Sequence, residues 1–292
     1  MFSFPSQKTP VLFQGITSIM GRYQTHLAIA YGTNLVAGVS HEKITKLEDV
    51  PVYPTVARAV RAKHPKISVV FSTPQKALPD VLEAIKAKIP LIVCTTEHVP
   101  MHDALKMKLA AEKAKVTLLG PSSAGILSVN EAIIGTMPTP LFKVGNIAII
   151  GRSSSLMYEA ADQLKSYDLG ISKCVSLGAD HLIGTSFIPV LEALYTDKMT
   201  QAVLVVGQVH GTLEQELAEF YKKKHPKKLF VYIPGKALAR SDKAPLLGMK
   251  SVLFSDVIED KKKILTKSKA IWIDSPDKIG KMIFDTLKGK KK

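Results

Sequence analysis

Two short segments hold the residue types from which an anion site is built. The first is Gln14-Gly15-Ile16-Thr17-Ser18-Ile19-Met20-Gly21, between an apolar run and a helical stretch. A glycine turn joining strand to helix aims backbone N–H groups at a phosphate on the helix N-terminus. The segment has two glycines, and Ser18 stands where a third is often found. Thr17 and Ser18 also suit a helix cap that holds no ligand. The second segment is Arg152-Ser153-Ser154-Ser155. Three hydroxyls beside a guanidinium at a helix start make an oxyanion pocket, or a serine-rich N-cap. Cys94 and Cys174 each lie in an apolar run and read as small core residues. Neither a disulfide framework nor a zinc site is expected, so metal ligands are none.

Behind these segments the chain alternates short apolar runs with amphipathic stretches. Candidate strands fall at 11–14, 35–39, 68–72, 91–95 and 116–119, with helices at 56–63 and 79–88 between them. Runs apolar throughout suit strands buried on both faces of a parallel sheet. Strand–helix alternation then gives right-handed βαβ units. A second series follows the proline-bearing connection Met137-Pro138-Thr139-Pro140, with strands at 146–151, 173–176, 202–207, 228–233 and 251–254. Thr212 and Gln215 have capping-box spacing before a helix whose Leu213, Leu217 and Phe220 share a face. Ser275-Pro276-Asp277 opens the last helix with a cap, a proline and an acid. The fold class expected is α/β, two doubly wound domains in tandem.

The 292 residues are 46% hydrophobic and carry a net charge of +15. No apolar run approaches the roughly 18 residues needed to cross a bilayer, so no membrane span is expected. Met1 to Gln7 lacks a basic flank leading into a long apolar region, so no secretory signal is expected. The expected location is the cytosol, or an organelle matrix for a processed chain. Residues 201–292 hold 20 Lys plus Arg against 10 Asp plus Glu. Such a surface attracts polyanions or is simply solvated. No nucleic-acid motif accompanies it, so a nucleic-acid partner is not expected.

A resemblance runs through the chain. It begins at the first glycine turn and continues through Ala28-Ile29-Ala30-Tyr31-Gly32-Thr33, Gly38-Val39-Ser40-His41-Glu42-Lys43 and Pro51-Val52-Tyr53. Thr95-Thr96-Glu97-His98-Val99-Pro100 and Gly120-Pro121 follow. Then come Gly151-Arg152-Ser153-Ser154-Ser155-Leu156-Met157-Tyr158-Glu159-Ala160, Gly178-Ala179-Asp180 and Tyr232-Ile233-Pro234-Gly235. In this order and spacing the segments resemble the α subunits of succinyl-CoA synthetase. The resemblance implies an N-terminal Rossmann-like CoA-binding domain over 1–125 and a C-terminal flavodoxin-like ligase domain over 126–292. It implies coenzyme A as the cofactor, none covalently bound, contacted by Thr17, Ser18, Ile19, Met20, Lys43, Thr95, Thr96 and Glu97. Ile19 and Met20 would contribute only backbone N–H groups, and Lys43 a point charge. Ser153, Ser154 and Ser155 would hold phosphate and Tyr158 would lie near the substrate; Tyr158 also suits a half-buried helix aromatic. A β-like subunit is the implied partner, supplying nucleotide and magnesium, and an acyl-CoA the implied small molecule.

The chain departs from the family where the phosphoryl group is carried. The family uses a histidine in a Gly-His-Ala-Gly loop; the register from Tyr232-Ile233 without gaps places Leu246 there, after Pro245. An aliphatic side chain has no lone pair with which to take a phosphoryl group. The family's strand-end glutamate is matched by Gln208, which hydrogen-bonds but holds no cation by charge. Ser122-Ser123-Ala124-Gly125 replaces Asn-Cys-Pro-Gly. No catalytic residue is therefore assigned, with His210 and His181 as candidate substitutes. Three functions are open: a working ligase subunit, a non-catalytic CoA-binding or structural relative, and an interaction protein using its basic second half.

Overall fold

Strands that bury every residue need neighbours on both edges and cover on both faces, and the chain meets that need twice. The computed structural model describes residues 2–224, 226–235 and 254–289, and within 254–289 the side chains from residue 257 onward. Two units divide it: residues 1–140 with 173–193, and residues 141–172 with 194–292.

In chain order the first unit holds β1 (Val11–Gln14), α1 (Ile19–Tyr31), β2 (Leu35–Val39), β3 (Lys46–Leu47), β4 (Val50–Tyr53), α2 (Val56–Lys63) and β5 (Ile67–Val70). It continues through α3 (Pro74–Lys86), β6 (Leu91–Cys94), α4 (Met101–Ala114), β7 (Thr117–Leu119), β8 (Gly125–Ser128) and β9 (Ala132–Gly135). The sheet order is β3-β4-β2-β1-β5-β6-β7. β1 pairs in parallel with β2 on one side and β5 on the other. The winding therefore reverses between β1 and β5, the switch point at which open α/β sheets leave a crevice beyond the strand ends. Leu12, Val70 and Ile92 pack with Ala77 and Val81 of α3 and Met107 of α4 in one buried cluster.

The chain then forms β10 (Val144–Gly151), α5 (Ser154–Ser166), β11 (Ile171–Ser176) and α6 (Phe187–Thr196). After these come β12 (Ala202–Val206), α7 (Leu213–Lys223), β13 (Lys228–Tyr232), α8 (Phe254–Lys267), β14 (Ile271–Ile273) and α9 (Ile279–Lys288). In the second unit β10, β12, β13 and β14 are parallel neighbours in that order. In the first unit Lys173 to Val175 of β11 run antiparallel to β8, which is antiparallel to β9. Two α/β units on mostly parallel sheets are as expected; β3, β4, β8, β9 and β14 fall outside the expected apolar runs.

Several local expectations are corrected. The run 68–72 leaves the sheet after Val70, and α3 starts at Pro74 with Thr73 as cap residue, five residues before the expected Pro79. Proline at the first helical position gives up an N–H with no partner there, whereas Pro79 sits inside the helix. The capping box at Thr212 does not form: its hydroxyl donates to Glu216 Oε1 at 3.0 Å instead of taking a backbone N–H. Of the expected strand 251–254, residues 251–253 lie outside the described residues and Phe254 begins α8. Ser275 opens a short 3₁₀ turn over Pro276–Lys278, and α9 follows it.

One contact governs how α1 meets β1. A Cβ at Gly21 would lie 2.2 Å from the Gly15 carbonyl oxygen and 2.9 Å from Ile16 backbone atoms. Gly15 itself has φ +69°, which glycine adopts without penalty. The first turn of α1 thus rests on the loop backbone with no side chain between. Gly21→Ala is expected to lower stability by about 1–3 kcal/mol through backbone displacement. A urea midpoint equal to that of the unsubstituted protein would refute this contact.

Candidate functional site

At the switch point the loops after β1, β2 and β5 enclose a cavity of about 340 Å³ together with one side of α3. Ser18 caps α1: its Oγ accepts from Gly21 N at 2.9 Å and donates to the Phe71 carbonyl at 3.2 Å. The same hydroxyl therefore finishes the helix and ties the β1 loop to the β5 loop. Thr17 and Ser40 share a hydroxyl–hydroxyl hydrogen bond of 2.8 Å, joining the β1 and β2 loops. Ser40 Oγ also accepts from Glu42 N at 3.0 Å. Arg22 Nε donates to the Thr17 carbonyl at 3.0 Å, and its guanidinium lies 3.8 Å from the Glu42 carboxylate. Both of those side chains are at least half exposed, so the pair adds little stability. It does leave a cation beside the N-terminus of α1.

Across the cavity the Ser72 hydroxyl donates to the Asp80 carboxylate. Burial pushes the Asp80 carboxyl above the usual range, against the Ser72 hydrogen bond and the charges of His41 and Lys76, which lower it. Gln14 Nε2 holds the Asp80 carbonyl at 2.9 Å and its Oε1 accepts from Ser68 at 2.7 Å, fixing this part of α3 to the sheet.

The structure brings only part of the expected set to this cavity. Thr17 and Ser18 line it, as do Ser72, Lys76 and Asp80, which sequence reasoning missed. Ile19 is 93% exposed and Met20 48%, both outside the lining. Lys43 and Glu97 are exposed and do not line it. Thr95 and Thr96 donate to the carbonyls of Val70 and Ser72 at 2.7 and 2.8 Å, so they brace the β5 end from behind. Ser72 and Asp80 are eight residues apart on either side of a helix start, and no local motif marks them.

In the second unit the ends of β10 and β12 lie side by side, with Arg152 N bonded to the Val206 carbonyl at 3.1 Å. Arg152 is buried. Ser153 is the cap residue of α5, but its side chain caps nothing, in contrast to Ser18. Ser154 is half-buried and Ser155 exposed in the first turn. Tyr158 is half-buried and packs edge-on against Phe142, with centroids 6.2 Å apart. Gln208 and His210 follow β12, partly buried and exposed respectively. Asp180 and His181 belong to the first unit. Leu246 lies outside the described residues.

What holds the Gln208 loop is an ion pair with both side chains fully buried. Lys261 Nζ lies 2.6 Å from Glu214 Oε2 and donates to the carbonyls of Gln208 at 2.9 Å and His210 at 3.4 Å. Glu214 Oε1 accepts from Gln208 N at 2.8 Å. Lys261 reads as one of a lysine run, yet Ile258, Lys261 and Leu265 share the buried face of α8. That helical spacing is the signal a sequence offers for it. Cys94 and Cys174 are both buried; burial pushes the Cys94 thiol up to about 11 and Cys174 higher, so both stay protonated core residues. Among the described residues no group of three His, Cys, Asp or Glu could hold a metal ion, and no helix is long and apolar enough to cross a membrane.

A CoA binding domain model matches residues 6–98, and a succinyl-CoA ligase like flavodoxin domain model matches residues 144–258. The chain is 42% identical to a succinate–CoA ligase [ADP-forming] subunit alpha 2 of Archaeoglobus fulgidus over 74% of this chain and 76% of that protein. It is 35% identical to the corresponding alpha subunit of Aquifex aeolicus over 97% of this chain and 94% of that one. Among solved structures it resembles an ATP citrate lyase from Methanothrix soehngenii in complex with citrate and coenzyme A, with TM-score 0.80 at 18% identity over 97% of this chain. A dinucleotide forming acetyl-coenzyme A synthetase from Ca. Korarchaeum cryptofilum gives TM-score 0.74 at 17% identity over 92% of this chain. The chain spans 50% of the former and 58% of the latter. At these identities the structural likeness concerns the fold alone.

Removing one member of the buried pair strands a charge among fully buried groups. Lys261→Met is expected to destabilise by about 3–5 kcal/mol, and Lys261→Met with Glu214→Met by less than the sum of the two single changes. Denaturant unfolding of the three variants measures this; additive losses would deny the pair its coupling.

Proposed function

Since the chain belongs to the succinate–CoA ligase α-subunit family, we propose that it is the CoA-binding half of an acid–CoA ligase assembly in which the phosphohistidine step is lost. The observation that carries the binding part is the cavity at the β1–β5 switch point, where Ser18 finishes α1 beside Arg22. A helix N-terminus with a neighbouring guanidinium favours an anionic group, here a phosphate of coenzyme A. The exposed Ile19 and Met20 offer only backbone N–H groups and apolar surface to such a ligand. Lys43 and Thr95 to Glu97 would take part through the outer portions of the molecule rather than the cavity.

The loss of phosphoryl transfer rests on side-chain chemistry. Leu246 falls where the family resemblance puts the histidine, and Gln208 where it puts the supporting glutamate. Neither residue can take or balance a phosphoryl-bearing imidazole. Ser153, Ser154 and Ser155 would still present hydroxyls to a phosphate, with Tyr158 nearby, so binding outlives transfer in this reading. The partner is a β-like subunit, and the role is that of a CoA-binding regulatory or structural subunit at a cytosolic or matrix location. The domain limits that suit this role are a CoA-binding part over 1–125 and a ligase-like part over 126–292.

Calorimetric titration with coenzyme A is expected to give saturable binding at millimolar concentration or below, and an absence of heat would remove the CoA reading. Incubation with succinyl-CoA and labelled phosphate, with and without a β subunit, is expected to leave no acid-labile label on this chain. Labelling would restore the working-ligase reading and point to His210 or His181.

A further inference from the structure

The switch-point cavity has two chemically different walls. Thr17 and Ser18 stand on the β1 side, beside the N-terminus of α1 and the Arg22 guanidinium. Ser72 and Asp80 stand on the β5 side. The second wall is a poor seat for phosphate, since it presents a carboxylate. Lys76 and His41 temper that charge, and Glu42 adds another carboxylate on the β2 side.

Ser18 donates its proton to Phe71 O, and Ser72 donates its own to Asp80 Oδ2. Asp80 Oδ1 receives no hydrogen bond from the described residues, although the residue is half-buried and lines the cavity. The backbone of Asp80 is fixed by Gln14, so the carboxylate is aimed and not swinging. An aimed, partly desolvated acceptor gains most from a ligand donor.

We propose that Asp80, positioned by Ser72, determines specificity in this cavity by accepting a hydrogen bond from a hydroxyl or N–H group of a phosphate-bearing ligand. The phosphate end lies toward Ser18 and the donor-bearing end toward Asp80. The inference rests on the CoA reading and deepens it. In coenzyme A two portions carry such donors: the pantetheine arm with its hydroxyl and amides, and the nucleoside with its ribose hydroxyl and amine.

The test is calorimetric titration of the full chain and its Asp80→Ala, Asp80→Asn and Ser72→Ala variants with coenzyme A, pantetheine, ADP and inorganic pyrophosphate. Thermal melting first confirms that each variant folds; Asp80→Asn keeps the shape and one acceptor and serves if Asp80→Ala does not. Asp80→Ala is expected to weaken coenzyme A binding about tenfold or more. Asp80→Asn should weaken it by less, and Ser72→Ala should fall between. Pyrophosphate, which has no alcohol hydroxyl or N–H and is strongly anionic, should bind both Asp80 variants at least as tightly as the unsubstituted protein, because a repelling carboxylate is gone. Sensitivity of pantetheine to Asp80→Ala assigns the contact to the pantetheine arm, and sensitivity of ADP assigns it to the nucleoside. If the unsubstituted protein binds coenzyme A and Asp80→Ala binds it equally or more tightly, the assignment is overturned while the CoA reading stands. If the unsubstituted protein binds none of the four probes, the CoA reading falls and this assignment falls with it.

Discussion

Parallel pairing of β1 with β2 on one edge and β5 on the other constrains everything else in the first unit. Parallel strands put all their carboxyl ends at one edge of the sheet. With the winding reversing at β1, the loops from neighbouring strands lead away in opposite directions and leave room between them. The cavity is that room. Its polar groups are there because loop backbones at a sheet edge need partners that strands no longer supply. Ser18 meets that need between loops and Ser40 within its own, Thr17 ties its hydroxyl to that of Ser40, and the glycine at 21 lets α1 come close enough for Ser18 to reach both Gly21 N and Phe71 O.

The second unit solves a similar problem with charge. The turn after β12 leaves Gln208 N and the carbonyls of Gln208 and His210 beyond the last ladder bond. Glu214 and Lys261 bond to them from α7 and α8, and each neutralises the other. A buried ion pair contributes little net stability compared with an apolar substitute. Its value here is geometric: three backbone groups of one turn are bound to two side chains with no exposed freedom.

These arrangements separate binding from chemistry. A phosphate seat asks for N–H groups, hydroxyls and a cation, which many residue types provide, and both units retain such groups at a helix start. A phosphoryl carrier asks for one nucleophilic side chain at one place. In the proposed reading the seat tolerates Ile19 and Met20, which would donate through their backbone N–H groups, whereas a leucine at the carrier position could not take a phosphoryl group.

Much of the fold was legible in the sequence because buried parallel strands are written as uninterrupted apolar runs. The runs at 11–14, 35–39 and 202–207 coincide with β1, β2 and β12 to within a residue. Helix starts were less legible: Thr212 has the right neighbour for a capping box yet bonds to Glu216, since exposed side chains at a helix start have several partners of similar energy. The antiparallel β8 and β9 were missed because short strands with ordinary spacing leave no distinctive period. For the site, sequence alone fixed which side chains have the chemistry to bind an anion and which, like Leu246, lack the chemistry to carry one. Only the tertiary structure decided that Thr17 and Ser18 face a cavity while Ile19 and Met20 face solvent. It also decided that Ser72 and Asp80 meet across a helix start, and that one lysine of a surface-looking run is buried against Glu214. Those outcomes depend on which elements pack together, and packing distances between elements remote in the chain leave no mark in local composition.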